Sequence, residues 1–323
     1  PAIIYDGIQV NTGLLLFSKN QQFMLTTDSD VFSPTTAKIN ALSTYNFNFA
    51  TNPISLGTTI GFLDNAGKFS RFFEMAQVQR EGEPEVIEQS AVVSRLFEKD
   101  LKLISNSREN SVIFFSEEGT STLYGYRYFD SIRERKLAAW FRWTLTGTIQ
   151  YHCMQDDNLY VVVRNNNKDQ LLKYAIKMDS NTFAIAENRV HLDHLMTTTG
   201  WTYDATTGKS TKAKPTGLES SNQLVAYDNS NENAPAIQNL GRYGKITING
   251  SNMELDGNWS NETFLIGYQF TMQVDLPTIY YVTKEGENFR ADTRSSLVLH
   301  RAKLAFGPVG LYETTLNRTG RVA

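Results

Sequence analysis

Apolar and polar positions along this chain fall into short runs of alternating or continuous hydrophobicity, not into the three-to-four spacing of amphipathic helices. Four stretches share one plan: a short apolar strand, a polar turn and a second strand rich in aromatic residues. Leu14–Ser18 and Gln21–Thr27 flank Lys19–Asn20; Ile60–Leu63 and Lys68–Met75 flank Asp64–Gly67. Val112–Phe115 and Leu123–Phe129 flank Ser116–Gly119; Leu159–Arg164 and Leu171–Lys177 flank Asn165–Asp169. The turns recur about every 45 to 52 residues, the range of β-propeller blades. Val112–Phe115 and Leu159–Val163 are continuously apolar, which predicts strands covered on both faces. Their partners alternate: Leu172, Tyr174 and Ile176 share one face against Lys173 and Lys177, and Tyr124, Tyr126 and Tyr128 fall together. A lone hairpin is marginal in water, so further strands are required, and Leu101–Ser105 and Trp140–Leu145 are predicted to supply them. Only Glu88–Phe97 has a claim to be a helix, and a short one.

The texture changes after His194. Residues 197–238 are dominated by Thr, Ser, Asn, Gly, Lys and Ala, too long and too polar for an ordinary connection. They read as a loop or an insertion ordered by a neighbour. Strand signals then return: Tyr268, Phe270, Met272 and Val274 alternate with Gln269, Thr271 and Gln273 up to Pro277. Ile279–Thr283, Leu297–Phe306 and Leu311–Leu316 follow. The fold class expected is all-β, with a propeller-like region over 1–195, a polar insertion over 196–239 and a second antiparallel β module, sandwich or barrel, over 240–323.

Composition narrows the function. The 323 residues are 41% apolar and 20% charged, ordinary for a globular protein. Lys+Arg 31 against Asp+Glu 34 gives a net charge of −3, which argues against strong electrostatic capture of nucleic acid or anionic membrane. A single cysteine, Cys153, excludes an internal disulfide framework and a Cys-rich zinc site. The longest apolar runs, such as Leu14–Phe17 and Leu159–Val163, are far shorter than a membrane-spanning helix needs. No charged-then-apolar leader opens the chain, and Pro1 stands inside what reads as folded sequence, the expectation for a portion of a longer product.

Few residues invite a chemical reading. His191-Leu-Asp-His194 gathers metal-ligand types, but no third strong ligand is near, and polar residues at a strand end explain it more simply. Thr207-Gly208-Lys209-Ser210 imitates the end of a phosphate-binding loop, yet Tyr203 stands where a second glycine is needed. Asp28 and Asp30 lack the other ligands of a calcium loop, and the pairs Glu117–Glu118 and Asp156–Asp157 fall in predicted turns. Cys153, between His152 and Met154, reads as a buried, inert thiol. Sequons at Asn249, Asn258, Asn261 and Asn317 mean little without a secretory leader. Tyr124–Trp143 interleaves aromatics with Arg127, Arg133, Arg135, Lys136 and Arg142, a mixture able to stack on nucleic acid. An aromatic core rimmed by arginines is the preferred reading. No catalytic, cofactor-binding or metal-ligating residue is assigned, and no cofactor is expected.

Taken in order, several segments carry a resemblance. They are Gly13–Leu25, Gly67–Glu74, Asp100–Ser105, Ala138–Thr144, Leu159–Val163, Phe264–Tyr268 and Leu297–Leu304. With this order and spacing the chain resembles the tail tubular protein B, or nozzle, family of short-tailed bacteriophages, most weakly over 197–238. The resemblance implies a non-enzymatic virion tail component containing a β-propeller, made in the host cytoplasm. It implies a homohexameric nozzle joined to an adaptor-type tail tubular protein and to tail fibre proteins, with genome DNA leaving through its channel. A conduit must not grip its cargo, so polar or acidic residues are expected along the lumen. Propeller faces and residues 197–238 are the expected subunit contacts. The rival reading is a propeller that binds or hydrolyses glycans, which requires converging carboxylates with an arginine cluster or an exposed aromatic platform. A cellular WD40-like scaffold ranks lowest, for want of Gly-His and Trp-Asp dipeptides.

Overall fold

The computed structural model describes residues 2–11, 13–27, 29, 31–76, 84–97, 100–130, 135–176, 192–218, 222–228, 241–274, 280–285, 288–292 and 303. The chain divides into two compact units, Pro1–Met178 and Asp179–Ala323. Both are built from antiparallel strands.

Unit 1 consists of four meanders. Strands β1 (Ile4–Val10), β2 (Gly13–Ser18), β3 (Gln22–Thr27) and β4 (Ala37–Ser43) form sheet A in chain order. Sheet B holds β5 (Ile54–Ser55), β6 (Thr59–Asp64), β7 (Arg71–Ala76) and β8 (Val86–Glu88). Sheet C holds β9 (Leu103–Ser107), β10 (Val112–Ser116), β11 (Thr122–Asp130) and β12 (Arg135–Thr144). Sheet D holds β13 (Thr148–Gln155), β14 (Asn158–Asn165) and β15 (Lys168–Ala175). Each hairpin expected from the sequence is a pair of adjacent strands: β2–β3, β6–β7, β10–β11 and β14–β15. Turn chemistry closes them. Asn166 and Asn167 (φ 48° and 60°) join β14 to β15 in the left-handed region that asparagine tolerates and a tight hairpin requires.

Strand alternation then decides which sheet meets which. On β6 and β7, Ile60, Phe62, Phe73 and Met75 face sheet A and pack with Leu15, Phe17, Met24 and Phe47. Leu63 and Phe72 face the other way, onto Ile113, Phe115, Tyr124, Tyr126 and Tyr128 of sheet C. Sheet C's opposite face sends Val112, Phe114 and Leu123 against Ile149, Leu159, Val161 and Val163 of sheet D. The order of stacking is therefore A on B on C on D, with sheets B and C buried on both sides. Each fully buried phenylalanine in these joints contributes about 1.5–3 kcal/mol relative to its exposed state.

Two expectations need correction in this unit. β10 is buried at every position, but β14 alternates, with Tyr160 and Val162 only half-buried. Its outer face shares a ladder with Tyr151 (55% exposed) and Leu171 (68% exposed), which no described sheet covers. The helix expected over Glu88–Phe97 is reduced to a 3-10 turn at Ala91–Val93. Gln89 N–H donates to Phe72 O, and Ser90 Oγ accepts from Phe72 N–H, so the chain is still tied to β7 where a helix would have to begin.

Unit 2 is wired differently. Its strands are β16 (Asp193–Thr198), β17 (Thr202–Asp204), β18 (Lys209–Ala213), β19 (Leu224–Tyr227), β20 (Tyr243–Lys245), β21 (Thr247–Asn249), β22 (Asn252–Asp256) and β23 (Phe264–Tyr268), then a hairpin of β24 (Tyr281–Glu285) and β25 (Asn288–Asp292). Sheet E has the order β16-β23-β19-β20 and sheet F the order β17-β18-β22-β21. The two share one core containing Trp201, Leu224, Ala226, Met253, Leu255, Trp259, Phe264 and Ile266. The stretch 196–239, expected as a polar loop or insertion, thus supplies β17, β18 and β19 to both sheets. β16, which runs across the expected boundary at 195, pairs with β23 and belongs to unit 2. The strand expected over Tyr268–Val274 stops at Tyr268; Phe270, Met272 and Val274 are 47%, 80% and 62% exposed. Alternation alone cannot extend a strand beyond its partners. The strands expected at Leu297–Phe306 and Leu311–Leu316 lie outside the described residues, apart from Lys303.

Candidate functional site

The densest convergence of charge and aromatic rings lies in the joint between sheets B and C. Glu74 sits on the C-facing side of β7, between the apolar Phe73 and Met75, and is 5% exposed. Arg135 opens β12 opposite Asp130, where the register slips by a bulge. Its Nη1 donates to Glu74 Oε1 at 2.6 Å and to the Tyr126 hydroxyl at 3.1 Å. Its Nε and Nη2 donate to the two carboxylate oxygens of Asp130 at 2.7 and 3.0 Å, a bidentate fork. The guanidinium also lies 4.8 Å from the centre of the Tyr128 ring. Tyr126 donates to Gln89 Oε1 at 3.2 Å, and Trp140 Nε1 donates to the Gln89 carbonyl at 3.2 Å.

The electrostatics are those of a fastened joint. Burial pushes the Glu74 carboxyl above its ordinary range, and Arg135 offsets only part of that. Burial works against the Arg135 charge, but hydrogen bonds to Asp130 and Glu74 outweigh it and hold the proton more firmly than usual. Burial, with Glu74 nearby, pushes the Tyr128 hydroxyl up to about 12, and Tyr126 is raised for the same first reason. Neither tyrosine is thereby activated as a nucleophile. Nε, Nη1 and Nη2 of Arg135 are all engaged by the protein's own carboxylates, whereas a glycan site needs arginine donors directed at a ligand.

A second polar contact lies between sheets C and D. His152 on β13 is 2% exposed, and its Nδ1 is 2.7 Å from Ser105 Oγ on β9. Its Nε2 is buried without a hydrogen-bond partner. Burial lowers the imidazole to about 4, so the ring is neutral near pH 7. The turns alongside are tied by Asn110 Nδ2, which donates to Asp157 Oδ1 at 2.9 Å.

In unit 2, Arg242 lies 3.9 Å from the centre of the Trp259 ring and donates to Asn258 O at 2.7 Å and Glu262 Oε1 at 3.2 Å. Burial raises the Glu262 carboxyl, opposed by Arg242 and reinforced by the negative charge of Asp228.

The residues singled out from the sequence are dispersed. Thr207–Ser210 spans the end of a hairpin turn and the start of β18. Asp204 Oδ1 accepts from Thr206 N–H, Lys209 pairs with Glu254 at 2.9 Å, and the buried Ser210 hydroxyl donates to Gly257 O at 2.7 Å. Asp193 and His194 lie on β16, half-buried, with burial raising the one and lowering the other. His191, Asp28, Asp30, Arg133 and Asn317 lie outside the described residues. Among the described residues no three His, Cys, Asp or Glu side chains gather as a metal site. Cys153, expected to be buried, is half-exposed; strand alternation buries its neighbour His152 instead. Tyr124, Tyr126, Tyr128 and Trp140 belong to the B–C core, while Arg127 and Arg142 are exposed. Glu118 and Asp156 sit in exposed turns, and Asn249 donates to Glu254 at 2.9 Å. The Glu74–Arg135 and Ser105–His152 contacts were missed. The one sequence signal is Glu74, an acidic residue set between Phe73 and Met75; Ser105 and His152 lie on mixed polar and apolar strands that give none.

A family model described as bacteriophage nozzle protein matches residues 1–323, the whole chain. No curated protein matches it. Among solved structures, the chain is similar to PorZ, an essential bacterial surface component of the type-IX secretion system of Porphyromonas gingivalis. Identity is 14%, coverage is 69% of this chain and 26% of that one, and the TM-score is 0.30. The chain thus spans about a quarter of that protein's length, and at this score the likeness carries no argument. No described helix is long and apolar enough to cross a membrane.

Proposed function

The chain belongs to the bacteriophage nozzle protein family and is a structural component of the phage tail; from this premise we propose that it forms part of the wall of the distal tail nozzle through which genome DNA is ejected. Unit 1 is read as consecutive blades of a β-propeller and unit 2 as a separate β module. Six copies close into a ring, joined to an adaptor-type tail protein and to tail fibres, after synthesis in the host cytoplasm.

The observation that carries this reading is the stacking of sheets A to D through continuous apolar joints. Such joints resist shear because interiors are close-packed and cannot deform gradually. The polar groups at the B–C joint are satisfied by one another, which suits a load-carrying wall better than a reactive pocket. A net charge of −3 suits a passage that does not retain phosphate. Mass measurement on assembled tails, and on the full-length product alone, tests the reading. Six copies per tail are expected; a full-length product that stays monomeric under assembly conditions overturns the ring.

A further inference from the structure

We propose that the Ser105–His152 contact makes the joint between sheets C and D acid-releasable: proton uptake by the buried imidazole loosens sheet D from sheet C while the A–B and B–C joints hold. The inference does not depend on the nozzle reading. It rests first on geometry. His152 stands on the inner face of β13, in line with Val161 and Leu172 across the sheet, and its ring reaches Ser105 on β9 of the next sheet. A neutral imidazole has one N–H donor, and whichever tautomer is present, Ser105 satisfies one nitrogen. Protonation makes both nitrogens donors, and Nε2 has no hydrogen-bond partner in its buried position. Charge would thus be placed in a joint that can neither hydrate nor pair it.

Among the described residues, neighbouring elements offer no compensation. β9, β10 and β13 carry no charged side chain. On β14, Arg164 lies at the far end and is bound to Asp169 of β15, both exposed. Lys173 and Tyr160 point to the outer face of sheet D, and Arg127 of β11 is exposed. Tyr174 of β15 packs against Trp143, Asp157 in the β13–β14 turn is held by Asn110, and Cys153 points away from the joint. Burial is the cause of the lowered imidazole pKa of about 4. His152 is the one histidine in the sequence of unit 1, so the other two joints contain none. Glu74, in the B–C joint, is raised by burial and so favours the fold as pH falls toward 4.5, opposite in sign. A comparison of variants cancels it.

The sign follows from linkage. A histidine whose folded pKa lies below its unfolded 6.5 leaves the fold at full stability above 6.5 and weakens it as pH falls from there toward 4. The test is denaturant unfolding of the full chain and of His152→Gln between pH 7.5 and 4.5, with hydrogen exchange read strand by strand. The parent is expected to lose a further factor on the order of 100 in its folding constant at pH 4.5 relative to the variant. Amides of β13 to β15 are expected to lose protection first, before those of β2, β6 and β10. An unchanged pH profile in His152→Gln, or equal loss of protection in all four sheets, overturns the proposal. Should the variant not fold, the imidazole resonance of the unsubstituted chain decides: a titration midpoint below 5.5 supports the joint, and one at 5.5 or above refutes it.

Discussion

Unit 1 and unit 2 are both antiparallel β structures of buried aromatic and aliphatic residues, yet their wiring is opposite. In unit 1 each sheet follows chain order, so every strand pairs with the next in sequence. In unit 2 the four-stranded sheets interleave: β16 and β19 both pair with β23, and β18 pairs with β22 although β19, β20 and β21 intervene in the chain. The difference shows where stability is assembled. Unit 1 closes its hydrogen bonds locally and gains its cores by stacking finished sheets. Unit 2 must collect distant strands before any core exists, which raises the entropy of closure.

The sharpest way to break this comparison is to empty one core at a time. Phe115→Ala in the B–C joint and Trp259→Ala in unit 2 each remove a side chain that is fully buried. Each should destabilise its own unit by about 3–5 kcal/mol. Fluorescence of Trp140 and Trp143 against Trp201 and Trp259, followed through urea unfolding, separates the two transitions. If either substitution shifts both transitions equally, the units are one cooperative body and the contrast fails.

A smaller effect sharpens the picture within unit 1. Arg135→Ala strands the buried Glu74 carboxylate and unties Asp130, at a cost of about 2–3 kcal/mol. The loss should appear as faster hydrogen exchange on both β7 and β12. Exchange changing on β12 alone would mean that the contact does not hold the sheets together. Smallest of all, Lys209→Met removes a solvent-screened ion pair with Glu254 and should leave unit 2 stability nearly unchanged. A larger loss, measured in the same urea titration, would give this hairpin a role its geometry does not suggest.

Legibility in the sequence follows the same divide. Hairpins such as β10–β11 were readable because continuous apolar runs, turn residues and partner strands sit side by side. The strands β17 to β19 were not. Thr202–Asp204 and Lys209–Ala213 are polar; they pair with each other as a hairpin, and β22, from elsewhere in the chain, supplies the ladder partner that fixes β18 in a sheet. The run beyond Tyr268 had the better pattern and no described partner. Face assignments such as Tyr124, Tyr126 and Tyr128 came directly from period two. The choice of which sheet each face meets did not, so Glu74 and Arg135, 61 positions apart, stayed unconnected. Family membership was readable from ordered segments, whereas the polar contacts inside the joints depend on stacking that no single segment encodes.

The interleaving of sheet E sets a timetable for the ribosome. β16 ends at Thr198 and β19 at Tyr227, but β23, which lies between them in the sheet, begins only at Phe264. At translation speeds of about 5–20 residues per second, β16 waits roughly 3–13 s for its neighbour to be synthesised. Nascent unit 1 can by then have completed its meanders one after another. A product interrupted before Phe264 would leave a finished first half carrying β16 without its ladder partner and β19 paired on one edge only, an open target for proteases and for other unfinished copies.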